Sequence, residues 1–302
     1  MGISVRLQGP VPASTFRKFD LRKMATVGRG RGRGRGLLMV KKESSPVGKP
    51  ETGAGDASSS VTPATNGCKN AVTLDDIEHV VNNLSCEPPE NELKNLQQMA
   101  EVFIKDKDAL MKFASAIYQK CLSDKEFARA GSIICSQSAT VEVQGQKFRN
   151  CLLSLLQKDY KGREELRDSS KEKFLSFFCF LCQIFNNMKT ATGDHFEALC
   201  GPIFDCMGMI LDADDKNDDE LENLLLQMQA IGTELERISF EKMSDLLEKV
   251  RSKIIRDGCS PRGRCTLLEL IESYARKWQT MPNEVTRYYC DTMADILAGM
   301  VV

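Results

Sequence analysis

Residues 219–257 read DELENLLLQMQAIGTELERISFEKMSDLLEKVRSKIIRD, and this stretch decides the fold. Leu221, Leu224, Leu225, Met228, Ile231, Leu235 and Ile238 recur at intervals of three and four. That period puts them on one face of a helix and excludes a half-buried strand, whose apolar residues would alternate. Met243, Leu246, Leu247, Val250 and Ile254 repeat the pattern after a short polar join at Ser239. Two amphipathic stripes this close together pack as antiparallel neighbours. A third stripe, Leu267, Leu268, Leu270, Ile271 and Tyr274, lies beyond the join Asp257-Gly258-Cys259-Ser260-Pro261. In that join Gly258 reads as a helix stop and Pro261 as a restart.

The same periodicity extends back to Thr73. It predicts about ten helices, at 73–84, 89–105, 107–122, 124–137, 145–161, 170–189, 194–211, 219–238, 240–257 and 262–278, with a short eleventh at 284–299. Thr73, with Asp76 three residues on, and Ser239 are the expected N-terminal caps. Ten helices over about 225 residues give a pair every ~45, near the ~40–47 period of HEAT-type repeats. The expected class is all-α: a HEAT-type antiparallel helical-hairpin solenoid of about ten helices, with an irregular bundle as the alternative. No residue signature stands out at that period. One segment, Phe174–Phe185, is apolar on nearly every side, which places it inside a large core. It is too short for a membrane, whose core needs ~20 residues of helix. Its Ser176 is expected to bond back to the preceding turn.

The composition changes sharply before residue 73. The 302-residue chain has a formal net charge of −1. Residues 1–72 carry 13 Lys/Arg against 4 Asp/Glu, a net of +9, which leaves 28 against 38, a net of −10, for the rest. Of the 21 glycines, 11 fall in the same N-terminal stretch. Such a shift marks a domain boundary. Residues 1–72 read as a disordered Gly/Arg- and Ser/Pro-rich arm and linker, and 73–302 as the helical domain. Arg29, Arg31, Arg33 and Arg35 alternate with glycines 28–36, and residues 44–67 form a Ser/Gly/Pro/Thr linker with nothing to bury. Met24 stands just ahead of the Gly-Arg run as a candidate alternative start. No apolar targeting segment is seen at the N-terminus. Twelve irregularly spaced cysteines without an export signal imply reduced thiols and a cytoplasmic or also nuclear location.

The chemistry-bearing residues are few. His79 and His195 are the only histidines. Cys179-x-x-Cys182 has the spacing of half a zinc site, but no second pair or matching histidine completes it. In mid-helix both cysteines read as small hydrophobes. No phosphate-binding loop or nucleophile elbow is present. The expectation is therefore a protein that is not an enzyme, with no cofactor and no metal. The Gly-Arg run carries more. Arginine pairs with phosphates and stacks on exposed bases, so Arg29, Arg31, Arg33 and Arg35 are the candidate RNA contacts. On the body, Lys249, Lys253, Arg256, Arg262 and Arg264 form a candidate RNA or partner surface. Lys249, Lys253 and Arg256 are assigned there to the helix face away from Val250 and Ile254. Asp214, Asp215, Asp218 and Asp219 form a candidate acidic partner surface, partly explained by the helix N-terminus beside them.

Four segments carry a family resemblance. They are Phe148-Arg149-Asn150-Cys151-Leu152-Leu153 running to Gln157-Lys158-Asp159-Tyr160, the helix Phe174–Phe185, Leu225-Gln227-Met228-Gln229-Gly232-Leu235-Glu236, and Leu267–Glu272 ending at Trp278. In this order they resemble the middle domain of eukaryotic translation initiation factor 4 gamma. Within that family the chain is most similar to the small members: the histone stem-loop-binding-protein-interacting protein, the poly(A)-binding-protein-interacting protein and the cap-binding-complex-dependent translation initiation factor. The resemblance covers about residues 75–298. It implies a translation-initiation adaptor that docks mRNA, mRNA-bound proteins, translation initiation factors and DEAD-box helicases. A nuclear RNA-processing or export scaffold and a helicase cofactor are the alternatives, and a homodimer is left open. The matched positions Phe148, Leu152, Leu153, Leu267, Leu268, Ile271 and Trp278 are mainly packing residues. The cap-binding-protein ligand Y-x-x-x-x-L-Φ is not met, since Ser123 and Glu165 stand where its leucine would follow Tyr118 and Tyr160. The poly(A)-binding-protein ligand L-N-x-x-A-x-x-F is missing from the arm. Trp278, at the end of an amphipathic helix, is expected to be largely buried.

Overall fold

The three- and four-residue spacing of apolar side chains produces helices throughout. The structure, a computed structural model, describes residues 74–213 and 217–299. The chain divides near residue 66, and the described residues all belong to the second of its two units. Among them are twelve α-helices. The first six are α1 (Leu74–Asn83), α2 (Glu90–Phe103), α3 (Lys107–Ser123), α4 (Ala128–Ser138), α5 (Phe148–Lys161) and α6 (Arg163–Ser169). The others are α7 (Lys171–Asn187), α8 (Cys200–Asp212), α9 (Asp218–Ile238), α10 (Phe240–Ile254), α11 (Pro261–Ala275) and α12 (Asn283–Leu297). Side chains supply several of the starts. Asp106 accepts from the Ala109 N–H at 2.7 Å, Ser170 from Lys173 at 3.2 Å, and Ser260 from Gly263 at 2.9 Å, with Pro261 in the first turn. Ser239 gives α10 no side-chain cap, and Thr73 lies outside the described residues.

The helices pair as antiparallel hairpins, and the hairpins stack in two layers. One layer holds α4, α7, α9 and α11; the other holds α3, α5, α8 and α10. The first layer shares α7 as its centre, packed against α4, α6 and α9. Burial follows the sequence pattern: eleven of its residues, from Phe174 to Phe185, are buried. No helix of the described residues is long and apolar enough to cross a membrane.

Three expectations need correction. First, the segment before α5 is not helical from residue 145. Glu142–Val143 pairs with Gln146–Lys147 as a small hairpin (β1 and β2), and Gln144 and Gly145 turn it at φ 52° and 79°. Two positive φ values in a two-residue loop suit a glycine and match the twist of the strands. Second, α6 was not foreseen. It has no buried residue, so no apolar stripe announces it. Third, Ser176 makes no hydrogen bond back to the preceding turn or to any other described residue. Trp278, expected to be largely buried, is partly buried and packs against the core. Lys277 and Trp278 both adopt positive φ, 55° and 60°, which ends α11 and swings the indole sideways onto α9. There it lies flat against Gly232, where an added Cβ would sit 2.5 Å from the ring. The indole N–H donates to Glu236 at 2.9 Å, leaving part of the ring at the surface.

Candidate binding surfaces

The repeat has a residue signature after all, visible only in the contacts between helices. In one layer Tyr118 of α3 donates to Asp159 of α5 at 2.7 Å, and Tyr160 of α5 donates to Asp205 of α8. Each rung joins a tyrosine to an aspartate about one repeat later. Burial first, then the neighbouring carboxylate, pushes the Tyr118 hydroxyl far up. Tyr160 is raised mainly by its bond to Asp205. In the other layer the rungs are amides. Gln183 donates to Gln227 at 3.0 Å, Asn187 to Ser132 at 2.8 Å, and Cys179 Sγ to Asn223 at 3.3 Å. Gln229 reaches Glu269 and Ser273 of α11, both at 3.4 Å. None of these pairings was read from the sequence. The spacing of 44 that repeats in 179→223 and 183→227 was the available signal.

Several charges of the two clusters on the body pair with one another. Lys249 pairs with Asp212 at 2.5 Å. Lys253 is not on a solvated face: it is 5% exposed, and its ammonium bonds the carbonyl of Ala213 at 2.6 Å. Both cations thus close the C-terminal end of α8, where carbonyls lack helical partners. Arg262 bridges Glu222 at 2.6 Å and Asp219 at 2.8 Å, and this pairing holds its guanidinium fully charged. Arg264 donates to the Arg256 carbonyl at 3.1 Å. Asp218 accepts from the Ser260 hydroxyl at 2.5 Å. The basic and acidic clusters are therefore brought together as one seam joining α8 and α9 to α10 and α11. Asp214, Asp215 and the arm arginines Arg29, Arg31, Arg33 and Arg35 lie outside the described residues.

The cysteines and histidines form no reactive set. Cys179 and Cys182 are buried, and burial raises both thiols, Cys179 to about 12. Among the described residues no group of three His, Cys, Asp or Glu is placed to hold a metal ion. His195 stacks on Phe185 with centroids 4.8 Å apart, accepts from Lys189, and lies 3.4 Å from Glu234. Burial, then Lys189, lowers its pKa, so the neutral ring is favoured. This cluster pins the loop after α7 to α9.

Stacked helical hairpins joined by polar rungs make the described residues an all-helical repeat domain. The MIF4G domain model matches residues 76–277, and the chain belongs to that family. It is 32% identical over 222 residues to the CBP80/20-dependent translation initiation factor of Xenopus tropicalis, covering 73% of this chain and 38% of that protein. It is 31% identical over 206 residues to MIF4G domain-containing protein B of Danio rerio, covering 66% and 92%. For the human MIF4G domain-containing protein the values are 29% over 202 residues, 65% and 90%. The matched region thus spans well under half of the first relative and nearly all of the other two.

Proposed function

We propose that the protein is a non-enzymatic adaptor in mRNA translation initiation, which holds mRNA-bound proteins and initiation factors on its helical stack. The observation that carries this reading is the 32% identity, over most of the helical unit, to a protein named as a translation initiation factor. The polar rungs support it. They fix the register of the hairpins and so present a rigid surface rather than a closing active-site cleft. In this reading the arm arginines 29, 31, 33 and 35 contact RNA, and the body contacts proteins. A net of −10 outside residues 1–72 repels phosphates on average, while the +9 arm attracts them. The working locations are the cytoplasm and, secondarily, the nucleus. The test is sedimentation of cell extract through a sucrose gradient, combined with affinity purification on RNase-treated and untreated halves. Co-migration with small ribosomal subunits, and initiation factors retained after RNase, are the expected results. Exclusive nuclear retention with no ribosomal association overturns the reading.

A further inference from the structure

The loop after α7 and the neighbouring α9 place an amine, an imidazole and a carboxylate in sequence. Lys189 and His195 are the two residues of an antiparallel bridge. The turn between them is closed by the Thr190 N–H, which donates to the Asp194 carbonyl at 2.8 Å, and by Gly193 at φ 87°. The Lys189 ammonium donates to Nε2 of His195. A neutral ring that accepts through Nε2 carries its proton on Nδ1, and Nδ1 lies 3.4 Å from Oε2 of Glu234 on α9. The stack on Phe185 holds the plane of the imidazole. A nucleophile with a base beside it, and an orienting group behind the base, is the arrangement that activates side chains for attack.

The acceptor decides what the amine can do. Lys249 bonds a carboxylate of Asp212, Lys253 the carbonyl of Ala213 and Lys120 the carbonyl of Asn82. Such oxygens do not hold a proton at neutral pH, so these lysines stay as unreactive ammonium. An imidazole nitrogen does take a proton near neutrality. The surrounding charges act on the pair from the loop and from α9. Burial lowers the Lys189 pKa, and Glu234 opposes it. Arg237 Nε binds the same Glu234 oxygen at 2.9 Å, which weakens the hold of that carboxylate on the lysine proton. Burial, then Lys189, keep His195 neutral; Arg237 acts in the same sense, and Glu234 and Asp194 oppose it. The amine is within reach of a reagent, since Lys189 is half-buried and residues 191–194 next to it in the chain are exposed.

We propose that Lys189 is a self-acylating lysine, which takes a short uncharged acyl group from a thioester, with His195 as proton acceptor and Glu234 as the positioning residue for His195. The neutral amine of Lys189 attacks the thioester carbonyl carbon. A C–N bond forms, the C–S bond breaks, and the sulfur leaves as thiolate. The proton given up by the attacking nitrogen passes to Nε2 of His195 and from there to the thiolate, and nothing is oxidised or reduced. The nucleophile is consumed as an amide, so each chain reacts once and no turnover follows. The product removes a positive charge from the loop that is tied to α9. An acidic acyl group is disfavoured because the carboxylates of Glu234 and Asp194 both act at this corner.

The probe is S-acetyl-N-acetylcysteamine, a small neutral thioester, incubated with the full chain and followed by site-resolved mass spectrometry. The exposed Lys112 and Lys161 are the internal references. Near neutral pH Lys189 should acetylate about tenfold faster than either, since a positioned base is worth at least that. Its rate should also level off at a lower pH than theirs. His195→Gln keeps a hydrogen-bond acceptor and removes the base; it should slow Lys189 about tenfold and leave Lys112 and Lys161 unchanged. A circular-dichroism melt shows whether this variant folds. If it melts early, His195→Phe, which retains a ring to stack on Phe185, decides by the same criterion. A Lys189 rate no greater than that of the references, or a rate that survives loss of the imidazole, overturns the proposal.

Discussion

Removing the Glu220 carboxylate should unseat α6. Glu220 side-chain exposure is 5% and that of its partner Arg167 is 15%. The guanidinium binds both carboxylate oxygens, Nε to Oε1 at 3.2 Å and Nη2 to Oε2 at 2.8 Å. It also lies over the Phe174 ring, 5.8 Å from its centroid. Since α6 has no buried residue of its own, this fork is a main tie to the stack. Glu220→Ala takes the bidentate acceptor away from a largely buried cation, and breaking a buried pair from one side costs about 3–5 kcal/mol. Arg167 keeps a further interaction and stands at the end of a short helix, so the lower end, about 3 kcal/mol, is expected. For a domain of this size that corresponds to a melting shift of roughly 6–12 °C. The assay is urea unfolding followed by far-ultraviolet circular dichroism, with linear extrapolation. Arg167→Met combined with Glu220→Leu replaces the pair by apolar groups and should recover to within about 1 kcal/mol of wild type. A loss below about 1 kcal/mol in Glu220→Ala, or a double variant as unstable as the single one, would refute the reasoning.

Gly232→Ala should push the indole of Trp278 off α9 at an overpacking cost of about 1–3 kcal/mol, less the ~1 kcal/mol that alanine gains in helix propensity. Because Trp278 is the chain's one tryptophan, a red-shifted emission reports it, and an unmoved spectrum counts against the packing described. Native alkylation with iodoacetamide at pH 8 should miss Cys179 and Cys182, whose buried thiols resist ionisation; rapid labelling of either would contradict their burial. The lowered His195 pKa means the unfolded chain takes up that proton first as pH falls below about 6.5. His195 therefore costs nothing above that pH and weakens the fold progressively below it, down to its folded pKa. His195→Gln should flatten the fall in stability over that window, and an unaltered pH profile would remove the histidine from the account. Deleting residues 1–72 should lower affinity for single-stranded RNA and reduce the salt slope by about 3, the value for four phosphates released from the arm arginines. An unchanged slope would take the Gly-Arg run out of RNA binding.

Much of the fold was written in the order of apolar residues. The stripes from Leu221 to Ile254 fixed two helices and their antiparallel packing, because a period of three and four can be buried in only one way. Pro261 announced the start of α11 through local backbone chemistry, and α11 begins there, whereas the cap from Ser260 appears only in the structure. The break in charge and glycine near residue 72 is a reading of composition alone, and the arm it marks off lies outside the described residues. The fate of individual polar groups was not legible. Lys253 follows the charge pattern of a solvated cation, yet it is buried against Ala213, because a different helix ends beside it. Gln183 and Gln227 look like ordinary surface amides 44 residues apart until stacking brings them to 3.0 Å. The seat of Trp278 on Gly232 was not legible either, because two left-handed residues redirect the chain after α11. Local periodicity sets which face of a helix is buried. Which polar groups are paired depends on the neighbouring hairpins, and only the assembled stack decides that.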